Sequence, residues 1–197
     1  IEGAVNGIIA GNFGASGQSC VAGSRVFIQK SIHSKILRKI KERAKAIIVG
    51  DPLDKKTQVG PLATAHQVER AHDVIDKSLK QGAKIVFGGK RPDHLSEGWY
   101  FEPTLLDCPN QAIDCVSTEL FAPVISAITF DTEEEAIEMA NDSDFGLGAG
   151  VFTENLARAH RVSQKIHSGI VWVNTYRAIS PISPFGGFKQ SGGSREA

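Results

Sequence analysis

The sequence has few cysteines, no excess of charge and no long apolar run, and each absence argues against a class of protein. Its 197 residues contain three cysteines, and none falls in a CxxC or CxxH spacing, so no metal site is predicted. So few thiols in a chain of this length favour a reducing, cytoplasmic compartment. Lysine plus arginine and aspartate plus glutamate both total 22, and this balance does not favour a nucleic-acid partner.

The longest stretch without a charged residue, residues 3–24, is interrupted by glycine and polar side chains. It is too polar for a membrane span, so no membrane partner is expected. No basic segment precedes an apolar one, as a secretory signal would require. With 41% hydrophobic residues, the composition is typical of a globular protein, and we expect residues 1–197 to form a single domain.

Helix-like and strand-like patterns alternate along the chain. Apolar residues at helical spacing predict helices over residues 31–48, 63–82, 132–142 and 154–169, with Ser31 as a candidate N-cap. Runs of β-branched or small residues predict strands over residues 24–30, 83–89, 124–130, 146–153 and 169–174. Strands separated by helices favour parallel pairing through crossover connections. The sequence therefore predicts an α/β fold, with a mostly parallel, twisted sheet and helices on both faces.

One cysteine lies among residues that have almost no side chain. Cys20 follows "GASGQS" and precedes "VAGS". Small residues allow tight turns and let another molecule approach the sulfur atom. The pattern alone leaves two interpretations open, a nucleophile in an accessible pocket or a small core residue near a turn.

Two glycine-rich strings do not predict nucleotide binding. "GLGAG" at residues 146–150 lacks the GxGxxG spacing and is followed by a strand pattern, which favours close backbone packing in a sheet. "GGK" at residues 88–90 lacks the frame of a phosphate-binding P-loop.

Several longer strings carry a resemblance that covers residues 13–196. "GQSC", "ELFAPV", "FGLGAGVFT", "WVN" and "SPFGGFKQSGGSRE" occur in the order and approximate spacing of the aldehyde dehydrogenase superfamily. The chain resembles the catalytic domain of such an enzyme, truncated at both ends. The resemblance implies oxidation of an aldehyde to a carboxylic acid through a cysteine thiohemiacetal and thioester, with hydride transfer to NAD or NADP.

The resemblance also implies roles for particular residues. Cys20 matches the family's nucleophile. Glu119 matches the glutamate that hydrogen-bonds the nicotinamide ribose, and Phe121 matches the aromatic residue beside that ribose. Phe185 matches an aromatic wall of the aldehyde tunnel, and Asn174 matches the asparagine that ends a strand near the site.

Arg177 lies in the loop that, by the same resemblance, borders the aldehyde entrance. It is either a solvated loop residue or the partner of an anionic group on the aldehyde, since a guanidinium offers a planar fork of donors. Two residues depart from the family pattern. Ala122 and Ser194 each stand where glycine is usual, and Ala122 is expected to stiffen the turn that carries Glu119 and Phe121.

Other parts of the family's machinery have no match here. The general-base glutamate and the oxyanion-hole asparagine precede the nucleophile in the family, and nothing in residues 1–19 matches them. The glycine-rich coenzyme-binding region is absent too, so NAD or NADP is expected to bind mainly to a domain outside the chain. We expect the chain alone to be inactive, and the intact protein to be a homodimer or homotetramer through a segment beyond residue 197.

Alternatives to the dehydrogenase remain open. A coenzyme-A-acylating or hydrolytic thiol enzyme would use Cys20 without redox chemistry, and a structural homologue would keep only the fold. Glu119 and Phe121 favour the dehydrogenase, because residues that serve a nicotinamide ribose have no evident task in a hydrolase. The presence of Cys20 argues against a purely structural protein, which could have alanine or serine at that position.

Overall fold

A four-stranded mixed sheet lies at the centre of the fold. The computed structural model describes residues 1–196, and its strands are β1 (Arg25–Gln29), β2 (Lys84–Phe87), β3 (Thr104–Asp107), β4 (Val124–Phe130), β5 (Phe145–Gly146), β6 (Gly148–Val151), β7 (Ile170–Val173) and β8 (Phe188–Lys189). The sheet has the order β1-β4-β3-β2. β4 is parallel to both neighbours, and β2 is antiparallel to β3. Two short ladders are separate from this sheet, parallel between β6 and β7 and antiparallel between β5 and β8.

In the described part of the chain, the strands are accompanied by six α-helices: α1 (Glu2–Asn12), α2 (His33–Ala44), α3 (Ala65–Lys80), α4 (Asp114–Ser117), α5 (Glu133–Asn141) and α6 (Leu156–Lys165). The side chains of Thr64, Thr132 and Asn155 cap α3, α5 and α6 by accepting a hydrogen bond from a backbone N–H in the first turn. The predicted N-cap at Ser31 is wrong. That residue lies inside a 3₁₀ turn, Lys30–Ile32, and α2 begins after Ile32 without a side-chain cap.

The sheet separates two apolar cores, because alternate side chains of a strand point to opposite faces. Along β4, Val124 and Ile128 belong to the core shared with α3 and α4. Ile125 and Ala127 belong to the core shared with α1 and α2. Helices therefore cover both faces of the sheet, as predicted for an α/β fold.

The sheet is less uniformly parallel than predicted. Residues 88–103 form a loop without a helix, so the chain turns back and β3 lies antiparallel to β2. β3 is missing from the predicted strands because its four residues, "TLLD", are too few to show a clear alternation.

α1 is missing from the predicted helices because glycine recurs along it and lowers its helix propensity. Those glycines leave space for aromatic rings. A Cβ atom at Gly7 would lie 2.3 Å from the Phe152 ring, and one at Gly11 would lie 2.9 Å from the Tyr176 ring. Close packing, which the sequence pattern does not reveal, therefore stabilises this helix.

Two strands border one large cavity of about 670 Å³, with every residue of β1 and of β6 in its lining. β1 is one of the two outer strands of the central sheet, and β6 pairs with β7 alone among residues 1–196. Each of these strands therefore has an edge without a β partner. Within the same described range, no helix has the length and apolar character needed to cross a bilayer.

Candidate active site

The loop that carries Cys20 has an unusual backbone. Ala15, Ser16 and Gly17 are successive residues with positive φ angles of 54°, 55° and 70°. A residue other than glycine costs roughly 1–2 kcal/mol in this left-handed region, and such strain is concentrated at functional sites. The following turn leaves the Cys20 side chain exposed as a free thiol.

Hydrogen bonds from two polar side chains fix this loop to a distant segment, residues 60–63. The Ser16 hydroxyl donates to the Gly60 carbonyl oxygen at 2.9 Å. The Gln18 amide accepts from the Ala63 N–H at 2.9 Å and donates to the Pro61 carbonyl at 3.4 Å. These contacts hold the strained backbone in place. Sequence reasoning missed both roles, although Gln18 stands in the "GQSC" string.

Gly17 brings the cysteine loop into contact with the loop that carries Glu119 and Phe121. A Cβ atom at Gly17 would lie 2.0 Å from the Ala122 carbonyl oxygen, so the two backbones touch. Phe121 itself has a φ angle of 53°. Ala122, by contrast, is not among the residues with positive φ, so this turn does not require the glycine that is usual there.

Cys20, Glu119 and Phe121 line one small cavity of about 40 Å³. Cys20 and Glu119 also line the 670 Å³ cavity, and the Glu119 side chain is exposed. The structure therefore brings the predicted nucleophile together with both predicted coenzyme contacts. This arrangement places a thiol, a carboxylate and an aromatic ring around one opening.

Asn12 adds an amide to the small cavity. Its side chain is 1% exposed, and neither its Nδ2 nor its Oδ1 atom has a hydrogen-bond partner within residues 1–196. A buried amide without a partner is costly, so Asn12 offers an unsatisfied donor and acceptor close to Cys20. No sequence signal marked this residue.

The other predicted site residues lie outside both cavities. The Asn174 amide accepts from the Thr153 N–H and donates to the Thr153 carbonyl, each at 2.9 Å, and so joins the ends of β6 and β7. Phe185 pairs through its backbone with Glu196. The Arg177 guanidinium approaches the Ala10 carbonyl of α1 at 3.5 Å. Their substrate contacts stay predictions.

Tyr176 lies close to the site, and sequence reasoning overlooked it. It lines the large cavity and packs against Trp172, with 4.8 Å between the ring centroids. Glycine makes room for it, since a Cβ atom at Gly150 would lie 2.5 Å from its ring. Burial raises the pKa of Tyr176 to about 12, so the phenol keeps its proton at neutral pH. Within residues 1–196, no group of His, Cys, Asp and Glu side chains could hold a metal ion.

Comparison with known proteins identifies the family. The model of the aldehyde dehydrogenase family matches residues 1–197. This chain belongs to that family. The match covers the cysteine loop, the Glu119 segment and the strands around both cavities.

Two curated relatives match along the whole chain. It is 49% identical to the (Z)-2-((N-methylformamido)methylene)-5-hydroxybutyrolactone dehydrogenase of Acinetobacter baylyi and 44% identical to betaine aldehyde dehydrogenase 1 of Rhizobium meliloti. Each alignment covers 100% of this chain and 40% of the relative. The chain therefore spans less than half the length of these enzymes.

Solved structures of the family share the fold. PnpE from Pseudomonas sp. WBC-3 superposes with a TM-score of 0.96 at 43% identity, over 100% of this chain and 40% of that one. A betaine aldehyde dehydrogenase from Staphylococcus aureus, solved in complex with NAD⁺, gives a TM-score of 0.96 at 38% identity, over 99% and 39% of the two chains. These likenesses confirm the α/β fold.

Proposed function

We propose that this chain carries the nucleophile and part of the coenzyme site of an NAD(P)-dependent aldehyde dehydrogenase, which oxidises an aldehyde to a carboxylic acid. One observation supports this most directly. Cys20 is far from Glu119 and Phe121 in the sequence, and all three residues line the same small cavity. A thiol enzyme without redox chemistry would need Cys20 but has no evident use for the other two.

Cys20 acts as the nucleophile in this proposal. Its exposed sulfur adds to the aldehyde carbon and forms a thiohemiacetal. The backbone N–H of Cys20, for which no acceptor is found within residues 1–196, donates a hydrogen bond to the developing oxyanion. Bound NAD or NADP would supply the acceptor for hydride. Loss of hydride converts the thiohemiacetal on Cys20 to a thioester. Water then releases the acid and regenerates the thiol.

Glu119 and Phe121 suit a nicotinamide ribose for separate reasons. The exposed Glu119 carboxylate is an acceptor that matches a pair of ribose hydroxyls. Phe121 offers an aromatic surface at the same cavity. Structures of similar enzymes were solved with NAD⁺, so NAD is the first coenzyme to compare with NADP.

We infer that the intact protein works as a homodimer or homotetramer in a reducing cytoplasm. Among residues 1–196, Cys20, Cys108 and Cys115 are all free thiols, which supports the reducing compartment. Family resemblance supports the oligomer. The substrate aldehyde enters near Cys20, and Asn174, Phe185 and Arg177 are proposed to contact it from the loops that follow β7.

Replacing Cys20 by alanine in the intact protein tests the proposal. We expect the formation of reduced coenzyme to fall by at least about a thousandfold, because the covalent route is lost. The far-UV circular dichroism spectrum should not change. Cys108→Ala removes a cysteine outside the proposed reaction and serves as the matched control. Wild-type protein mixed with aldehyde and coenzyme should show an acyl adduct on Cys20 by mass spectrometry.

Other outcomes would contradict the proposed role of Cys20 or favour a different function. Wild-type turnover in Cys20→Ala would refute the role of this residue. Thioester cleavage by the wild type without reduction of NAD or NADP would favour a hydrolytic or coenzyme-A-acylating enzyme. Wild-type protein that neither turns over aldehydes nor acquires an acyl group would favour a structural homologue.

A further inference from the structure

The two cysteines that the proposed reaction does not use lie in direct contact. The sulfur atoms of Cys108 and Cys115 are 3.5 Å apart, and each residue is 4% exposed. Cys108 follows β3, and its N–H donates to the Ala127 carbonyl in β4 at 2.8 Å. Cys115 lies on α4, where its N–H donates to the Ser78 hydroxyl at 2.9 Å. These hydrogen bonds anchor the backbone of both residues.

We propose that Cys108 and Cys115 form a reversible disulfide when the protein meets a peroxide. A bonded pair of sulfur atoms lies about 2.05 Å apart, so the sulfurs need to approach by about 1.5 Å from their present contact. This approach combines rotation of the two side chains with a shift of α4. Such a pair in a reducing compartment is typical of a transient, redox-sensing disulfide.

The steps balance with hydrogen peroxide as the oxidant. The Cys115 thiolate attacks one peroxide oxygen, the O–O bond breaks, and hydroxide leaves and takes up a proton to become water. The Cys108 sulfur then attacks the sulfur of the Cys115 sulfenic acid. The S–O bond breaks, and a second water molecule leaves with the Cys108 proton. The two thiols lose two electrons and two protons, and the peroxide is reduced to water.

The surroundings of Cys115 favour its role as the attacking thiol. It lines the 40 Å³ cavity that Cys20 and Glu119 also line, and this volume exceeds the roughly 10–15 Å³ that one water molecule needs. The cavity therefore has room for a molecule as small as peroxide beside this residue. The hydrogen bond from Cys108 lowers the pKa of Cys115, whereas the same contact and burial raise the pKa of Cys108.

A disulfide here would disturb the coenzyme segment. Cys108 is held by the central sheet, so the contraction falls mainly on α4, which ends at Ser117, two residues before Glu119. This consequence rests on the proposed function of Glu119 and Phe121. If those residues contact the coenzyme, oxidation of the intact Cys20→Ala protein should raise its Kd for NAD about tenfold, since a 1 Å misplacement of a positioned group costs up to about a hundredfold. Treatment with dithiothreitol should restore the original Kd.

The chemical test does not depend on the coenzyme. The intact Cys20→Ala protein, in which the reactive thiol is absent, is exposed to hydrogen peroxide, digested without reduction and examined by mass spectrometry. We expect a linked pair of peptides that contains Cys108 and Cys115 and is about two mass units lighter than the separate peptides together. In Cys20→Ala/Cys108→Ala, Cys115 should stop at the sulfenic acid, which dimedone traps when the treated protein is denatured in its presence. The unfolding midpoint of that double variant shows whether it is folded.

Two results would overturn the proposal. One is that both thiols stay fully alkylatable after denaturation of peroxide-treated Cys20→Ala. The other is that the disulfide joins two chains instead of Cys108 and Cys115 of one chain. If the internal disulfide forms in Cys20→Ala and its Kd for NAD does not change, the link to the coenzyme segment is wrong. The proposed dehydrogenase is judged separately, by the turnover of Cys20→Ala.

Discussion

Replacing Gly17 by alanine is expected to destabilise the contact between the two loops of the site. The φ angle of 70° at Gly17 costs an alanine roughly 1–2 kcal/mol. The new Cβ atom would lie 2.0 Å from the Ala122 carbonyl oxygen and 2.2 Å from its carbon. Both are backbone atoms, so one loop has to move, and overpacking of this kind costs about 1–3 kcal/mol. The free energy of unfolding should fall by roughly 2–5 kcal/mol in total.

The assay is denaturant unfolding of the intact protein together with kcat/KM for the aldehyde. Gly3→Ala is the matched control, because no atom lies within 4 Å of a Cβ atom built at that helical glycine. Alanine there should stabilise the protein by up to about 1 kcal/mol. Gly17→Ala should unfold at a lower denaturant concentration and lose kcat/KM, because Cys20 and Glu119 are no longer held together. Equal midpoints and equal kcat/KM in the two variants would refute the reasoning.

Two further substitutions test separate parts of the structure. Glu119→Gln should raise the KM for coenzyme roughly tenfold, since a hydrogen bond to a charged group is weakened. The rate of hydrolysis of preformed acyl-enzyme should stay normal. The control variant Glu138→Gln should change neither the KM for coenzyme nor this hydrolysis rate. Selective loss of the hydrolysis step would instead make Glu119 the general base. The Arg161 guanidinium holds the pKa of Glu133 at about 2, below its ordinary 4.5, so its stabilising effect is present above pH 4.5 and lost as the pH falls toward 2. In Glu133→Gln, the unfolding midpoint should therefore change less with pH between 4.5 and 2. Glu134→Gln is the control, and an equal change of the midpoint with pH in the two variants would contradict this prediction.

Local patterns predicted the helices that have one apolar face. α2, α3, α5 and α6 repeat apolar residues at helical spacing, and each lies within its predicted range. α1 could not be predicted in this way, because two of its glycines, Gly7 and Gly11, face Phe152 and Tyr176, residues far away in the sequence. β3 lies antiparallel to β2 because the loop that connects them contains no helix. The periodicity of the sequence gives no signal for such a loop.

Sequence motifs pointed to three residues of the candidate site. Cys20, Glu119 and Phe121 each stand in a string typical of the family, and the fold brings them to one cavity. The contact of Gly17 with Ala122 joins their loops, and a contact between backbones leaves no mark on either string. The unpartnered amide of Asn12 was also hidden, because its burial depends on packing that only the folded chain shows.

The unpaired edges of β1 and β6 affect how this polypeptide behaves when it is produced by itself. An open strand edge presents N–H and C=O groups that pair readily with any extended peptide. Here two such edges border one cavity of about 670 Å³, so self-association through β-strand addition is the expected hazard of expression and storage. The same feature offers a remedy. An extended peptide supplied in trans that pairs with both edges would satisfy their backbone groups and keep the preparation soluble.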